Sequence, residues 1–256
     1  MKSDDLAFAH RLADAAGAAI RPYWRAAFDT ETKADASPVT AADRAAELAM
    51  RELIDRERPD DGIIGEEFGE TRPGAARQWV LDPIDGTVSF VAGRAIFGTL
   101  IALMEDGWPT LGIIDQPIAG ERWAGRTGQG TTFNGKPAET RRCPDLKGAS
   151  LATSAPHYFT EEDGARYAAL AQQTARAGLI YGGDCYNYGL LASGHIDIVA
   201  ETGLKLHDYA ALVPIVDGAG GLMTDWRGDP LHAGSEGAVL ALGDAARLED
   251  VLAILT

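Results

Sequence analysis

Apolar residues recur every four positions through Phe8, Leu12, Ala16, Ile20 and Trp24, the spacing of one helical face. The pattern predicts an amphipathic helix over 4–24, with Ser3 able to cap its start. The polar stretch from Thr30 to Pro38 reads as a loop. Thr40 then caps a second helix to about Arg58, with Asp43 in its first turn and Pro59 past its end. Short apolar runs follow. Ile63-Ile64 and Trp79-Val80-Leu81 read as strands that stop at Gly65-Glu66-Glu67 and at Asp82. Residues 96–104, 108–115 and 121–124 read as consecutive strands, with turns at Asp106-Gly107 and Ala119-Gly120 and a further turn at Phe133-Asn134-Gly135-Lys136.

The second half alternates differently. Helices are expected near 161–177, 184–193, 208–218 and 245–255, and strands at 179–181, 196–200 and 238–242. The expected organisation is one domain with two lobes. Residues of about 1–140 form an antiparallel-rich α+β half, and about 141–256 a more α/β half. No repeat, low-complexity segment or long linker interrupts the chain.

Composition narrows the function. Of 256 residues 46% are hydrophobic, enough for a sizeable core, and the formal net charge is −15. So acidic a chain is a poor partner for nucleic acid or an anionic membrane surface, both of which select basic protein surfaces. If it handles a phosphate ester, a bound metal is the obvious source of positive charge. Cys143 and Cys185 are too few for a disulfide framework or a cysteine-rich zinc site and read as reduced thiols of a cytoplasmic protein. Met1-Lys2-Ser3-Asp4-Asp5 is followed by no apolar core of a signal peptide, and no run approaches 18 apolar residues, so neither a leader nor a transmembrane helix is expected.

The most informative string is Asp82-Pro83-Ile84-Asp85-Gly86-Thr87. Two carboxylates three residues apart, read as a tight turn after an apolar strand, can converge on one point. Mg²⁺ favours such an all-oxygen environment, and the Ile84 carbonyl can add a ligand. Gly86 and Thr87 open a helix whose free N–H groups make a phosphate seat. Glu66 ends a strand and Asp208 starts a late helix, the places where open α/β sites gather ligands. Taken singly, Asp208 is a helix cap and Glu66-Glu67 a solvated loop. The Asp82–Asp85 string between strand and helix resists so bland a reading.

Gly65-Glu66-Glu67, Asp82-Pro83-Ile84-Asp85-Gly86-Thr87 and Asp208-Tyr209-Ala210-Ala211 closely resemble the inositol monophosphatase superfamily, and Lys33 to Asp43 resembles its N-terminal element. The resemblance implies an α+β fold, the layered αβαβα sandwich of the inositol monophosphatase and fructose-1,6-bisphosphatase type. It also implies Mg²⁺ dependence, a small phosphorylated metabolite as substrate and a homodimer. Carried over by position, Glu66, Asp82, Asp85 and the Ile84 carbonyl bind metal, and Asp208 serves a second ion. Thr87 and Glu66 orient the attacking water, and Asp43 belongs to the outer part of that network. Metals would polarise the phosphoryl oxygens and acidify water, with no covalent intermediate.

Within the superfamily, Tyr181 to Tyr186, Leu204 to Pro214 and Gly218 to Gly221 look most like the histidinol-phosphate phosphatase branch. That implies cleavage of L-histidinol phosphate to histidinol and phosphate. Asp184 and Glu201 would then face the ammonium and imidazole end of the substrate. Two positions depart from the patterns: Val88 stands where that branch carries Lys, and His207 where inositol phosphatases carry Trp. His207 reads either as a substrate or network contact or as a plain helix-entry residue. The alternatives are an inositol-1-phosphate or broad sugar-phosphate phosphatase and, in another class, a non-catalytic metal- or phosphate-binding protein. The full set Glu66, Asp82, Asp85, Thr87 and Asp208 argues against the last.

Overall fold

A computed structural model describes residues 5–26, 30–32 and 38–256; Ser3 and residues 33–37 of the N-terminal element lie outside the described residues. In chain order the elements are α1 (Asp5–Ile20), β1 (Thr30–Thr32), β2 (Pro38–Thr40), α2 (Ala41–Glu57), β3 (Gly62–Gly65), β4 (Gly69–Thr71), β5 (Arg77–Asp85), α3 (Thr87–Val91), β6 (Gly98–Glu105), β7 (Trp108–Gln116), β8 (Glu121–Arg126), β9 (Gly130–Phe133) and β10 (Lys136–Ala138). They continue as β11 (Leu151–Thr153), α4 (Glu161–Gln173), β12 (Leu179–Tyr181), α5 (Asp184–Ala192), β13 (Ile198–Glu201), α6 (Leu206–Tyr209), α7 (Leu212–Gly218), β14 (Leu222–Thr224), β15 (Val239–Leu242) and α8 (Leu248–Leu255). No described helix is long and apolar enough to cross a membrane.

Alternation along the strands builds the layers. An eight-stranded sheet runs β10-β9-β8-β7-β6-β5-β3-β4 and a five-stranded sheet runs β12-β11-β13-β15-β14. Trp79, Leu81, Ile101, Leu103, Leu111 and Ile113 point from one face of the large sheet to Phe8, Leu12, Ala46 and Met50 of α1 and α2. The intervening Val80, Leu100, Ala102 and Ile114 point the other way, to Tyr188, Tyr209 and Ile215 of α5, α6 and α7. Those helices also meet Ala152, Val199 and Ala241 of the small sheet. On that sheet's far face Leu151, Ile198, Leu240 and Leu242 pack on Leu170 of α4 and Val251 of α8. The sequence of layers is αβαβα, as expected for period-2 strands buried on both faces. Trp79 is fully buried, edge-on to Phe8 with ring centroids 5.2 Å apart, and its indole N–H reaches Asp61 at 2.9 Å.

Several boundaries differ from the sequence reading. The first helix ends at Ile20 and passes into a 3₁₀ turn at Arg21–Tyr23, with Pro22 unable to supply a helical N–H. The Thr30–Pro38 segment is more than a loop, because its ends pair as β1 and β2. The 161–177 helix stops at Gln173. The 208–218 helix is two pieces, α6 and α7. Pro214 accounts for the break, since its ring clashes with the carbonyl four residues back, at Ala210. The junction also lies hard against β7: a Cβ on Gly112 would stand 1.9 Å from the Ala211 carbonyl oxygen. The 196–200 strand begins at Ile198, where pairing with Leu151 and Leu242 starts; the Asp197 N–H before it goes to Ser150 Oγ at 3.0 Å instead. The closing helix starts at Leu248 after a 3₁₀ turn. The short strands β4, β9, β10, β11 and β14 are additions, β9 and β10 pairing on either side of the expected Phe133–Lys136 turn.

Candidate active site

β3 and β5 are parallel neighbours, so their carboxyl ends open on one edge of the large sheet. Glu66 follows β3, and its N–H continues the ladder to Leu81 O at 3.1 Å. The Asp82–Asp85 string is not a turn, as the sequence suggested, but the bulged end of β5. Asp82 pairs with Leu100 and Asp85 with Gly98, so three steps on β5 match two on β6. In a regular strand residues three apart point to opposite faces. The extra residue shifts the phase and allows both carboxylates to face one side.

The acids meet there. Ligand atoms of Asp82, Asp85 and Asp208 lie within 4.8 Å of one another, as do those of Glu66, Asp82 and His207. Asp208 is the third residue of α6, where its Oδ2 accepts the Lys205 N–H at 2.6 Å. The N-cap itself is Lys205, not Asp208 as the bland reading had it; Asp208 reaches back to it from the third helical position, and its Oδ1 faces His207 Nε2 at 3.5 Å. Asp85 Oδ2 accepts the Cys185 N–H at 2.5 Å. Burial first, then the charges of Glu66, Asp85 and Asp208, hold Asp82 far above the usual carboxylate range. Burial, with Asp184 and Asp208, does the same to Asp85.

Thr87 begins α3, with Gly86 as its cap at φ 86°. Its Oγ1 donates to Ile84 O at 3.1 Å, which leaves the hydroxyl's lone pairs free to accept from water. Asp43 is fully buried in the first turn of α2 and is not among the residues lining the cavity.

That cavity has a volume of about 390 Å³, and Asp184 and Glu201 stand in its wall with the acids above. Asp184 opens α5 in the left-handed region, φ 43°. It is not remote from the cluster: a Cβ on Gly86 would meet its Oδ2 at 2.6 Å. Burial, then Glu201, raises its carboxyl to about 6. Glu201 is 5% exposed, and its two oxygens take the Ser154 N–H and the Tyr188 O–H, each at 2.7 Å. Burial still pushes it up.

The sequence reading passed over two sets of positioning residues. Ser154 and Tyr188 hold Glu201, and nothing in their local sequence marks them. Glu47 and Arg51 hold the Glu66 loop: Glu47 accepts the N–H groups of Glu67 at 2.7 Å and Phe68 at 3.2 Å, and Arg51 Nε binds Glu47 at 2.7 Å. Their four-residue spacing on α2 was the available signal.

The donors fit a divalent cation. Asp82 is 2% exposed, and its Oδ1 is buried without a hydrogen-bond partner. A buried carboxylate oxygen among like charges is stable only when a proton or cation meets it. Acids that can hold metal, beside a helix start that can seat phosphate, are the parts a metal-dependent phosphomonoester hydrolase needs.

Comparison with known proteins agrees. The model of the inositol monophosphatase family matches residues 1–254. The chain is 50% identical over 224 residues to a bifunctional phosphatase, IMPL2, of Arabidopsis thaliana chloroplasts, covering 87% of this chain and 64% of that protein, so it spans just under two thirds of that relative. It is 37% identical to a histidinol-phosphatase of Chlorobaculum parvum, covering 93% of this chain and 92% of the relative. A solved inositol monophosphatase from Zymomonas mobilis superposes with a TM-score of 0.91 at 54% identity, covering 98% and 97% of the two chains. The chain belongs to the inositol monophosphatase family, whose members hydrolyse phosphate monoesters.

Proposed function

We propose that this protein is a Mg²⁺-dependent phosphatase of a small cationic phosphate monoester, foremost L-histidinol phosphate. The observation that carries the substrate is the acidic wall: Asp184 and Glu201 share the cavity with the cluster Glu66, Asp82, Asp85 and Asp208. Burial, then the charge of Glu201, raises Asp184 to about 6, and an ammonium at that wall would stabilise the charged carboxylates against both. Tyr158 and Phe159 line the same cavity and offer an aromatic edge to an imidazole. The histidinol-phosphatases among the relatives support the assignment. Mg²⁺ and a homodimer are carried by the family resemblance, Mg²⁺ also by the all-oxygen donors.

In this reading Glu66, Asp82, Asp85 and the Ile84 carbonyl hold metal, with Asp208 on a second ion; bound cation would neutralise phosphoryl oxygens and lower the pKa of water. Gly86 and Thr87 seat the phosphate at the start of α3. Glu66 and Thr87 orient the attacking water, Thr87 as acceptor because its own proton is committed to Ile84 O. Asp43 stays behind this group as support.

A second reading, inositol-1-phosphate or a broader set of sugar phosphates, is favoured by the likeness to the Zymomonas mobilis enzyme. Asp184→Asn separates the two. A charge-assisted contact to an ammonium contributes about 1.5–3 kcal/mol. The variant should therefore lose roughly 10–100-fold in kcat/KM on histidinol phosphate and far less on glycerol phosphate. Equal losses on both esters would remove the ammonium contact from the account.

A further inference from the structure

His207 occupies a place that neither the phosphate chemistry nor the substrate assignment uses. One ligand atom each from Glu66, Asp82 and His207 lies within 4.8 Å of the others, a set distinct from Asp82, Asp85 and Asp208 and joined to it through Asp82. The His207 side chain is 13% exposed and its Nε2 stands 3.5 Å from Asp208 Oδ1. The ring therefore sits among three carboxylates, in the wall of the same cavity. Asp82 supplies the independent sign of a missing partner: it is 2% exposed and its Oδ1 is buried without a hydrogen-bond partner.

We propose that His207 is a nitrogen ligand to a divalent cation seated with Glu66 and Asp82, and that this donor fits that position to a borderline-soft ion such as Zn²⁺. The inference rests on the reading of the acid cluster as a cation site. The donor chemistry separates the two sets. Three carboxylates are a hard, all-oxygen set suited to Mg²⁺. Two carboxylates and one imidazole add a borderline-soft nitrogen that Zn²⁺ accepts more readily than Mg²⁺ does, with a fourth position left for water or a phosphoryl oxygen. Donors about 2.1 Å from a tetrahedral ion stand roughly 3.4 Å apart. A set already within 4.8 Å closes to that by side-chain rotation. His207 enters from α6 one residue before Asp208, so one short helix supplies a ligand to each set. Mg²⁺ in one and Zn²⁺ in the other would share Asp82.

The test is metal binding by the purified, metal-stripped protein, read apart from turnover. Zn²⁺ and Mg²⁺ affinities are measured by calorimetry, and Co²⁺ is titrated as a spectroscopic stand-in for Zn²⁺. The variants are His207→Phe, which keeps a ring without a donor, and His207→Asn in case the first fails to fold. The expected result is a loss of Zn²⁺ affinity on the order of 30-fold, a weakened visible Co²⁺ band, and a Mg²⁺ affinity changed less than about threefold. A histidine that only steadies Asp208 would shift both ions alike, and that result overturns the proposal. So does a Zn²⁺ affinity in the folded variants within about threefold of the parent, or Zn²⁺ binding that survives Asp82→Asn unchanged. Failure of the phosphatase reading looks different: no Mg²⁺-dependent phosphate release from any ester, with His207-dependent Zn²⁺ binding intact.

Discussion

Gly65→Ala tests how the Glu66 loop is held. A Cβ at this position would fall 1.9 Å from Glu47 Oε1, 2.4 Å from Glu47 Cδ and 2.6 Å from Arg51 Nη2. None of these atoms is free to retreat. Glu47 is fully buried and accepts from Glu67 N, Phe68 N and Arg51 Nε. Arg51 is fixed in turn by Thr71 Oγ1 at 2.9 Å and the Gly69 carbonyl. The methyl therefore displaces a carboxylate from two backbone N–H groups. Hydrogen bonds to a charged group contribute about 1.5–3 kcal/mol each. Partial relaxation brings the expected cost to about 3 kcal/mol, or roughly 6–12 °C in Tm for a chain of this size. Because the displaced contacts position Glu66, the Mg²⁺ concentration for half-maximal activity should rise as well. Thermal unfolding and a Mg²⁺ titration read the two effects. Shortening the obstructing side chain in Gly65→Ala/Glu47→Asp should return part of both, the non-additivity expected of touching residues. A Gly65→Ala protein with the parent's Tm and Mg²⁺ requirement would refute the clamp.

Three further outcomes follow from the site. Asp82→Asn removes an acid whose ionisation burial, then Glu66, Asp85 and Asp208, disfavour; the metal-free protein should melt at a higher temperature while turnover falls on the order of 10³-fold. Retained Mg²⁺-dependent turnover would displace Asp82 from the site. Thr87→Ala should lower kcat on the order of 10²-fold with little change in KM; a change confined to KM would make Thr87 a phosphate contact only. Asp184 has a folded pKa of about 6 against an ordinary 3.8, so the folded state binds its proton more tightly than the unfolded state. That stabilisation is complete below about pH 4 and is lost as pH rises through about 6, up to about 3 kcal/mol in the metal-free protein. Urea unfolding across pH 4–7 should show this decline shrinking in Asp184→Asn, and identical slopes would remove the assignment.

The longer helices and strands were legible because buried elements impose periods that the apolar residues keep, whereas their order in layers came from the family resemblance. Of the acid cluster, Asp82 and Asp85 were legible in their own string, while Glu66 and Asp208 read singly as a loop and a helix cap and joined them through the family resemblance. What the sequence concealed is long-range. The α6–α7 break depends on Pro214 and on the close approach of Ala211 to Gly112. The bulge that turns Asp82 and Asp85 to one side is visible only in the register against β6. Glu47 and Arg51 look like an exposed i,i+4 pair until folding buries them under the Glu66 loop. Three-residue strands such as β11 and β14 carry too little pattern to stand out, and neighbouring strands fix them.

The most direct test compares kcat/KM of the wild-type protein for histidinol phosphate and inositol-1-phosphate, with Mg²⁺ and after chelation. The account predicts phosphate release only with the cation, and histidinol phosphate ahead by about tenfold or more, the worth of one ammonium contact. Turnover that persists without divalent cation, or faster cleavage of inositol-1-phosphate, would contradict it.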